Sequence, residues 1–298
     1  MLLLPKFDYE EPKSLPEALA MLSELKGNGK VIAGGTDLLV NMKKGTVRPA
    51  CLVSLKKVEA LREISGEEGG LSVGSHVTIS EIADSDRVAS TFPVLARSAS
   101  CLGSPLIRNR ATIGGNIVTA RPAADLPPAL LVLGARVELR GKDKDRTVSL
   151  DGFFTGPGTS VIETGEVLTR IVIPSPPPFT GADYIKLGHR AALEIAIVAV
   201  SSRLTLDKPD GVIVDARVIL SSVAPTAIHA VSAEKALMGQ RPSEDLFAKA
   251  ASLAVGDSSP ITDMRGGAEY RRDMVNTLVK RTLLRAFKDA RDTKGGNA

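Results

Sequence analysis

Tryptophan is absent from the chain, and aromatic residues of all kinds make up only 3% of it. Proteins that hold single-stranded nucleic acid combine stacking aromatics with a concentrated basic face. Here 38 basic residues stand against 34 acidic ones and are interspersed with them, giving a net charge of +4. Composition therefore argues against a nucleic-acid partner, while the small positive surplus fits an anionic small molecule. Cysteine is equally scarce. Cys51 and Cys101 are the only two, far apart and with no CxxC neighbour, so they provide neither an iron–sulfur cluster nor a zinc site. They read as buried or semi-buried thiols of a reducing compartment. No apolar run approaches the roughly 20 residues of a membrane helix. The start, Met1-Leu2-Leu3-Leu4-Pro5, is broken too soon to be a signal-peptide core. A cytoplasmic protein without a transmembrane segment is expected. Two nucleotide motifs are also missing: without GxGxxG a Rossmann site is unsupported, and without GxxxxGK[ST] a P-loop is unsupported.

What the sequence does contain is ordinary globular material. Its 298 residues, 43% hydrophobic and 24% charged, suffice for two modest domains or one large one. Ser14, with Glu17 three residues later, predicts a capped helix whose apolar face is Leu15, Ala18, Leu19 and Leu22. Gly27-Asn28-Gly29 ends it. Val31-Ile32-Ala33 reads as a buried strand, a second helix follows through Met42, and Cys51–Leu55 and Leu71–Gly74 read as further strands. Ala89–Cys101 predicts one helix and Leu126–Leu133 another, with Ala135–Leu139 and Val167–Ile173 as strands. Pro174-Ser175-Pro176-Pro177-Pro178 cannot join a helix or a central strand, so a rigid connector and a domain boundary are expected at about residue 177. Beyond it, Tyr184–Leu187, Ile195–Leu206 and Val212–Ser222 read as strands. Ala233–Leu237, Glu244–Val255 and Tyr270–Phe287 read as helices. Strands followed by helices predict an α+β domain over 178–290 with an antiparallel sheet. A flexible tail is expected over 291–298.

The chemistry concentrates in two glycine loops. Ala33-Gly34-Gly35-Thr36-Asp37-Leu38 lies between a strand and a helix, directly after Ile32. Ala111-Thr112-Ile113-Gly114-Gly115-Asn116-Ile117 is the other. Paired glycines let backbone N–H groups approach a ligand, and successive exposed amides at a helix start make an anion nest. Thr36 and Thr112 add hydroxyls. One such loop alone is usually a tight turn; two could grip one pyrophosphate from both sides. Asp125 stands just before a helix. It is placed either to cap that helix or to accept from a ribose or ribityl hydroxyl, and both roles stay open.

These residues resemble a known family. AGGTDL at 33–38 and TIGGNIVTA at 112–120, followed by Asp125, are similar to the two FAD-pyrophosphate loops of molybdenum-hydroxylase flavoprotein subunits, such as carbon monoxide dehydrogenase medium subunits and the FAD segment of xanthine dehydrogenase. Phe153–Pro157 with Gly165–Thr169, Lys186–Arg190 with Glu194–Ala196, Val223–Thr226 and Asp263–Arg272 continue the resemblance in order along nearly the whole chain. It implies an α+β fold: a two-lobed FAD domain of the PCMH type, with lobes of about 1–60 and 61–177, followed by the smaller C-terminal domain. It implies FAD as cofactor, held by Ile32 through Leu38, by Thr112, Ile113, Gly114, Gly115 and Asn116, and by Asp125. The Leu168 backbone would meet adenine or flavin, and Gly103 and Ser104 would line the same cleft. Lys186 would lie near the isoalloxazine, unless it is simply a solvated lysine at a strand end. It also implies a 2Fe–2S subunit and a molybdenum-cofactor subunit as partners, with NAD, quinone or oxygen as electron acceptor. Hydroxylation would belong to the molybdenum subunit, so no catalytic residue is expected here.

Some features stand apart. Glu194 replaces a common Asp. His76 reads as a surface or satisfied polar residue. The Asp263–Arg272 stretch reads either as a solvated helix start or as part of an interface. Two other functions compete: a stand-alone flavoenzyme of the same FAD fold, which would need an acid–base set not evident here, and a scaffold that has lost FAD, which the intact glycine pairs oppose.

Overall fold

The computed structural model describes residues 3–67, 69–190 and 192–292. Three sheets follow one another along the chain. The first is parallel. In it β1 (Asp8–Glu10) and β2 (Gly29–Ile32) flank the central β3 (Cys51–Ser54). Ser14 caps α1 (Leu15–Glu24) by accepting from the Glu17 amide at 3.3 Å, while the Glu17 carboxylate accepts from the Lys13 amide at 2.7 Å. Ala18, Leu19 and Leu22 of that helix are buried against Val53 and Leu55, as the spacing predicts. The short α2 (Leu38–Lys43) completes this lobe.

The second sheet has five antiparallel strands, ordered β4 (Ile64–Glu67), β5 (Gly70–Gly74), β10 (Val167–Pro174), β6 (Arg136–Arg140) and β7 (Asp145–Ser149). Helices α3 (Ile79–Ala83), α4 (Asp86–Thr91), α5 (Pro93–Ser100), α6 (Pro105–Arg108), α7 (Ile113–Val118) and α8 (Leu126–Val132) fill the chain between β5 and β6, and the β8 (Phe154–Gly156) and β9 (Thr159–Ser160) hairpin precedes β10. The single helix expected over Ala89–Cys101 is in fact two. Pro93 opens α5 and pushes Phe92 out of helical geometry, to φ −133° and ψ 60°, because the residue before a proline clashes with its ring.

The third sheet is antiparallel, β11 (Thr180–Leu187), β12 (Val198–Leu206), β13 (Ile213–Ser221) and β14 (Ile228–His229), and is covered by α9 (Val231–Leu237), α10 (Glu244–Asp257) and α11 (Ala268–Asp292). Ile195–Ile197, expected within β12, instead lead into it. Arg291 and Asp292 belong to α11 rather than to a loose tail; the remainder of the expected tail, 293–298, lies outside the described residues.

Several polar contacts tie the third sheet to the second lobe, two of them through ionised side chains at the sheet's edges. Asp183 on β11, fully buried, pairs with Arg97 of α5 and with Arg285 of α11. His229 donates or accepts at both ring nitrogens, 2.9 Å from Asp151 Oδ1 across the junction and 2.7 Å from Glu234 Oε1 on its own side. The two carboxylates favour the imidazolium and lift its pKa to about 9. A raised pKa means stabilisation that is complete below the ordinary value near 6.5 and lost as pH rises through about 9. His229→Gln should therefore cost roughly 2 kcal/mol at pH 6 and little at pH 10. Chemical unfolding of both proteins across that window tests this; a constant difference would sink the assignment.

Candidate functional site

Gly34 and Arg110 set where the two glycine loops meet. A Cβ on Gly34 would run into the Arg110 carbonyl oxygen, and Ala111 Cα would be 3.1 Å away. Only glycine lets the first loop lie directly against the segment that opens the second. Gly35 takes φ +73°, a conformation that side chains resist. This turn aims the chain into α2. The amides of Gly34, Gly35, Thr36 and Asp37 donate to no other protein group among the described residues. Four successive unspent N–H groups form the anion nest anticipated from the sequence.

The second loop is built differently. Ile113 N donates to Val77 O, Gly114 N to Ser75 O, Gly115 N to Thr112 Oγ1 and Asn116 N to Thr112 O, all between 2.9 and 3.1 Å. Its amides are spent on protein, contrary to the expectation that both loops offer backbone donors. Thr112 is the cap of α7, which occupies its hydroxyl. Gly114 is required by packing: a Cβ there would stand 2.6 Å from Ser75 Cβ. Gly115 meets only Thr112 Oγ1 at 3.0 Å and otherwise borders the cleft. What this loop presents is side-chain chemistry. Asn116 Oδ1 and Ser75 Oγ are buried without a hydrogen-bond partner, and both residues line the cleft.

The cleft has a volume of about 1610 Å³, above the usual few hundred to a thousand for small-molecule sites. Of the residues singled out in the sequence, Ile32 through Leu38, Gly103, Thr112, Gly114, Gly115, Asn116, Asp125 and Leu168 all line it. Three do not. Ile113 is fully buried core. Ser104 caps α6 by accepting from the Ile107 amide. Lys186 is set back behind Asp125.

Asp125 makes no side-chain cap bond to α8, although it occupies the cap position. Its Oδ1 instead accepts from Lys186 Nζ at 2.8 Å and from the Tyr184 hydroxyl at 3.2 Å. Lys186 also donates to the Cys101 carbonyl at 3.0 Å, and its side chain is only 8% exposed, so it is no solvated strand end. Burial pushes the Asp125 carboxyl above its ordinary value, with Lys186 and Tyr184 pulling the other way. Burial and the nearby Asp125 charge push the Tyr184 phenol up, keeping it a neutral donor.

Other residues escaped the sequence reading. Tyr184 sat in a strand pattern with nothing to mark its hydroxyl. Arg271 is 1% exposed; it donates to Ile197 O at 2.8 Å, to Ser222 O at 2.9 Å and to Asp263 at 2.7 Å. The Asp263–Arg272 stretch is therefore not wholly solvated, since its last arginines split between a buried strut and an exposed surface. His76 is buried, with no partner at either ring nitrogen among the described residues. Burial, then Arg62, lowers its pKa and keeps it neutral. It is neither on the surface nor satisfied by protein.

Among the described residues no helix is long and apolar enough to cross a membrane. Residues 5–176 match the family described as the FAD binding domain in molybdopterin dehydrogenase, and residues 183–286 the CO dehydrogenase flavoprotein C-terminal domain. The carbon monoxide dehydrogenase medium chain of Hydrogenophaga pseudoflava is 33% identical over 95% of this chain and 98% of its own length. The medium chain from Afipia carboxidovorans is 34% identical over 94% and 96%. Xanthine dehydrogenase FAD-binding subunit of Escherichia coli O157:H7 is 28% identical over 93% and 95%. Among solved structures, carbon monoxide dehydrogenase from Hydrogenophaga pseudoflava superposes with a TM-score of 0.92 at 33% identity, covering 96% of this chain and 99% of that one. Quinoline 2-oxidoreductase from Pseudomonas putida 86 gives 0.91 at 31%, covering 97% and 99%. The chain therefore belongs to the FAD-binding medium subunits of the molybdenum hydroxylases, an oxidoreductase family, and its cofactor is FAD.

Proposed function

We propose that this chain is the electron-transfer flavoprotein of a three-part molybdenum hydroxylase, with the cleft as its FAD site. FAD, when bound, supplies a two-electron store between a 2Fe–2S subunit and an external acceptor such as NAD, quinone or oxygen. Substrate hydroxylation falls to a molybdenum subunit. The same reading divides the chain at about residue 177 into a two-lobed FAD domain and a C-terminal domain, and sets it in the cytoplasm. The single observation that carries it is the run of unspent amides from Gly34 to Asp37 facing unpartnered Asn116 Oδ1 across one cleft.

On this reading the loops divide the work. The first donates backbone hydrogens, and the Thr36 hydroxyl, to the pyrophosphate oxygens. The second contributes Asn116 and the open space beside Gly115. Asp125 has both protein bonds on Oδ1, so Oδ2 is the atom left to accept from a ribityl or ribose hydroxyl. Lys186 acts through Asp125. Its ammonium keeps a buried carboxyl ionised, and ionised carboxylates are the stronger acceptors. The Leu168 backbone borders the cleft from the second sheet, and Gly103 from the turn before α6.

Three measurements follow from this site. The visible spectrum of the purified protein, with chromatography of the released small molecule, should give two flavin bands and stoichiometric FAD. A colourless protein that also refuses added FAD would end the reading. Gly115→Val should remove most FAD while the unfolding temperature barely moves, whereas Gly34→Ala should lower the unfolding temperature of the FAD-free chain by several degrees, because its clash is with backbone; equal melting of both variants would contradict this division. Lys186→Met should leave Asp125 without its counter-charge, so that FAD affinity falls about tenfold at pH 7, worth about 1.4 kcal/mol, and weakens further as pH drops. A pH-independent affinity equal to wild type would refute the role given to Lys186.

A further inference from the structure

Among the described residues, three side chains that line the cleft carry a buried polar atom with no protein partner: Ser75, Asn116 and Ser222. Buried polar atoms are ordinarily paired, so each marks a place where something else is received. Asn116 shares the second loop with Gly115. Ser75 lies under the same loop, its carbonyl accepting from Gly114 N at 2.9 Å. Both belong to the phosphate end of the cleft. Ser222 is supplied by the third sheet and stands apart from the glycine loops.

The backbone of Ser222 is fully committed. β13 stops at Ser221, and Ser222 turns to φ +66°, a conformation that is unfavourable for serine and free for glycine. Its amide donates to Pro122 O at 3.0 Å, beside the Ser221 hydroxyl at 2.9 Å, and its carbonyl accepts from Arg271 at 2.9 Å. The Ser222 hydroxyl is what remains. Through Pro122 it is tied to the chain three residues ahead of Asp125.

We propose that Ser222 Oγ donates a hydrogen bond to the heteroatom edge of the bound isoalloxazine and so holds the flavin's reduction potential up. The inference rests on the FAD reading above, in which the pyrophosphate lies at Gly34–Asp37 and the ribityl chain at Asp125. The ring then lies beyond Asp125, where Pro122, Ala123, Ala224, Pro225 and Ile261 line the cleft. Small and apolar side chains suit the faces of a planar ring, but they offer nothing to its carbonyl oxygens. Asp263, also in the lining, is an acceptor and is engaged by Arg271 at 2.7 Å. The Ser222 hydroxyl can donate. Reduction adds negative charge to the ring's heteroatom edge, and a hydrogen bond to a charged acceptor is the stronger one. Hydrogen bonding and charge around the ring are the means by which a protein sets a flavin potential. Ser222 is thus a tuning residue, and moves neither protons nor electrons itself.

The test uses the full chain loaded with FAD, as wild type, Ser222→Ala and Ser222→Gly. Both variants lose the hydroxyl, but only glycine adopts φ +66° freely, and melting curves verify that each folds. In both, the midpoint potential of the bound flavin, equilibrated against redox dyes, should fall by about 30 mV. That is an about tenfold loss of preference for the reduced form in a two-electron couple. Equal potentials in all three proteins overturn the proposal and leave Ser222 to an ordered water. A fall in one variant alone assigns the effect to the backbone and overturns it as well, as does a rise. FAD lost from either variant makes Ser222 a retention residue and ends the tuning role. FAD content separates the two readings: a wild-type chain that binds no FAD fails the flavoprotein reading and this proposal with it, whereas full FAD content with unchanged potentials fails this proposal alone.

Discussion

The cleft depends on one steric contact, Gly34 against the Arg110 carbonyl. The first lobe is a small parallel sheet with little surface of its own to fix its position. Its edge strand β2 runs into Gly34, and the absence of a side chain there lets the two lobes close until their loops are neighbours. Arg121 adds a bond from the second loop's exit to Asn41 on α2, at 3.2 Å. Everything the loops do follows from this placement. The free amides of the first loop and the unpartnered Asn116 oxygen face one space because glycine permits that approach.

A second constraint works from the other side. Asp125 belongs to the second lobe, whereas Lys186 and Tyr184 are on β11 of the third sheet. Their convergence on one carboxylate oxygen joins the two parts of the chain at the cleft wall. The arrangement is costly in isolation, since burying a carboxylate requires a partner. It is workable here because the ammonium and the phenol arrive together. The same sheet is held at its edges by Asp183 and by His229. The site's polarity therefore depends on how the third sheet is docked, although the glycine loops lie elsewhere.

Much of the fold was legible in the sequence, and the reasons differ by element. Capped α1 and the three long strands of the third sheet follow from local periodicity, and the structure has them within a few residues, whereas the two-residue β14 carries no such signal. The helix predicted over Ala89–Cys101 failed because apolar spacing ran straight through Pro93, and a proline at a first helical position looks compatible with either side. The glycine loops were legible as loops, but not as two different devices. Whether an amide is free depends on what lies across from it, and the partners of the second loop, Ser75 and Val77, come from a distant stretch of chain. Lys186 and Tyr184 were opaque for the same reason: a strand pattern says which face a residue occupies, not which buried charge awaits it. Arg271 could have been suspected, because a lone arginine at helical spacing from Val275 and Leu278 is poised on the buried face.

Arg271 knits the C-terminal part together where that part borders the cleft. It holds three carbonyl or carboxylate partners from the lead-in to β12, the end of β13 and the turn before α11, and it borders the cleft while doing so. A fully buried guanidinium keeps its charge and needs every partner in place. Loosening of the Asp263–Gly266 turn would thus be felt at Ile195 and Ile197, on the opposite side of the cleft mouth. Contact made on the exposed side of that turn, at Met264, is coupled to the cleft wall through a single rigid side chain. The physical link between an outer surface and the cleft is then one arginine, set in place by the packing of α11.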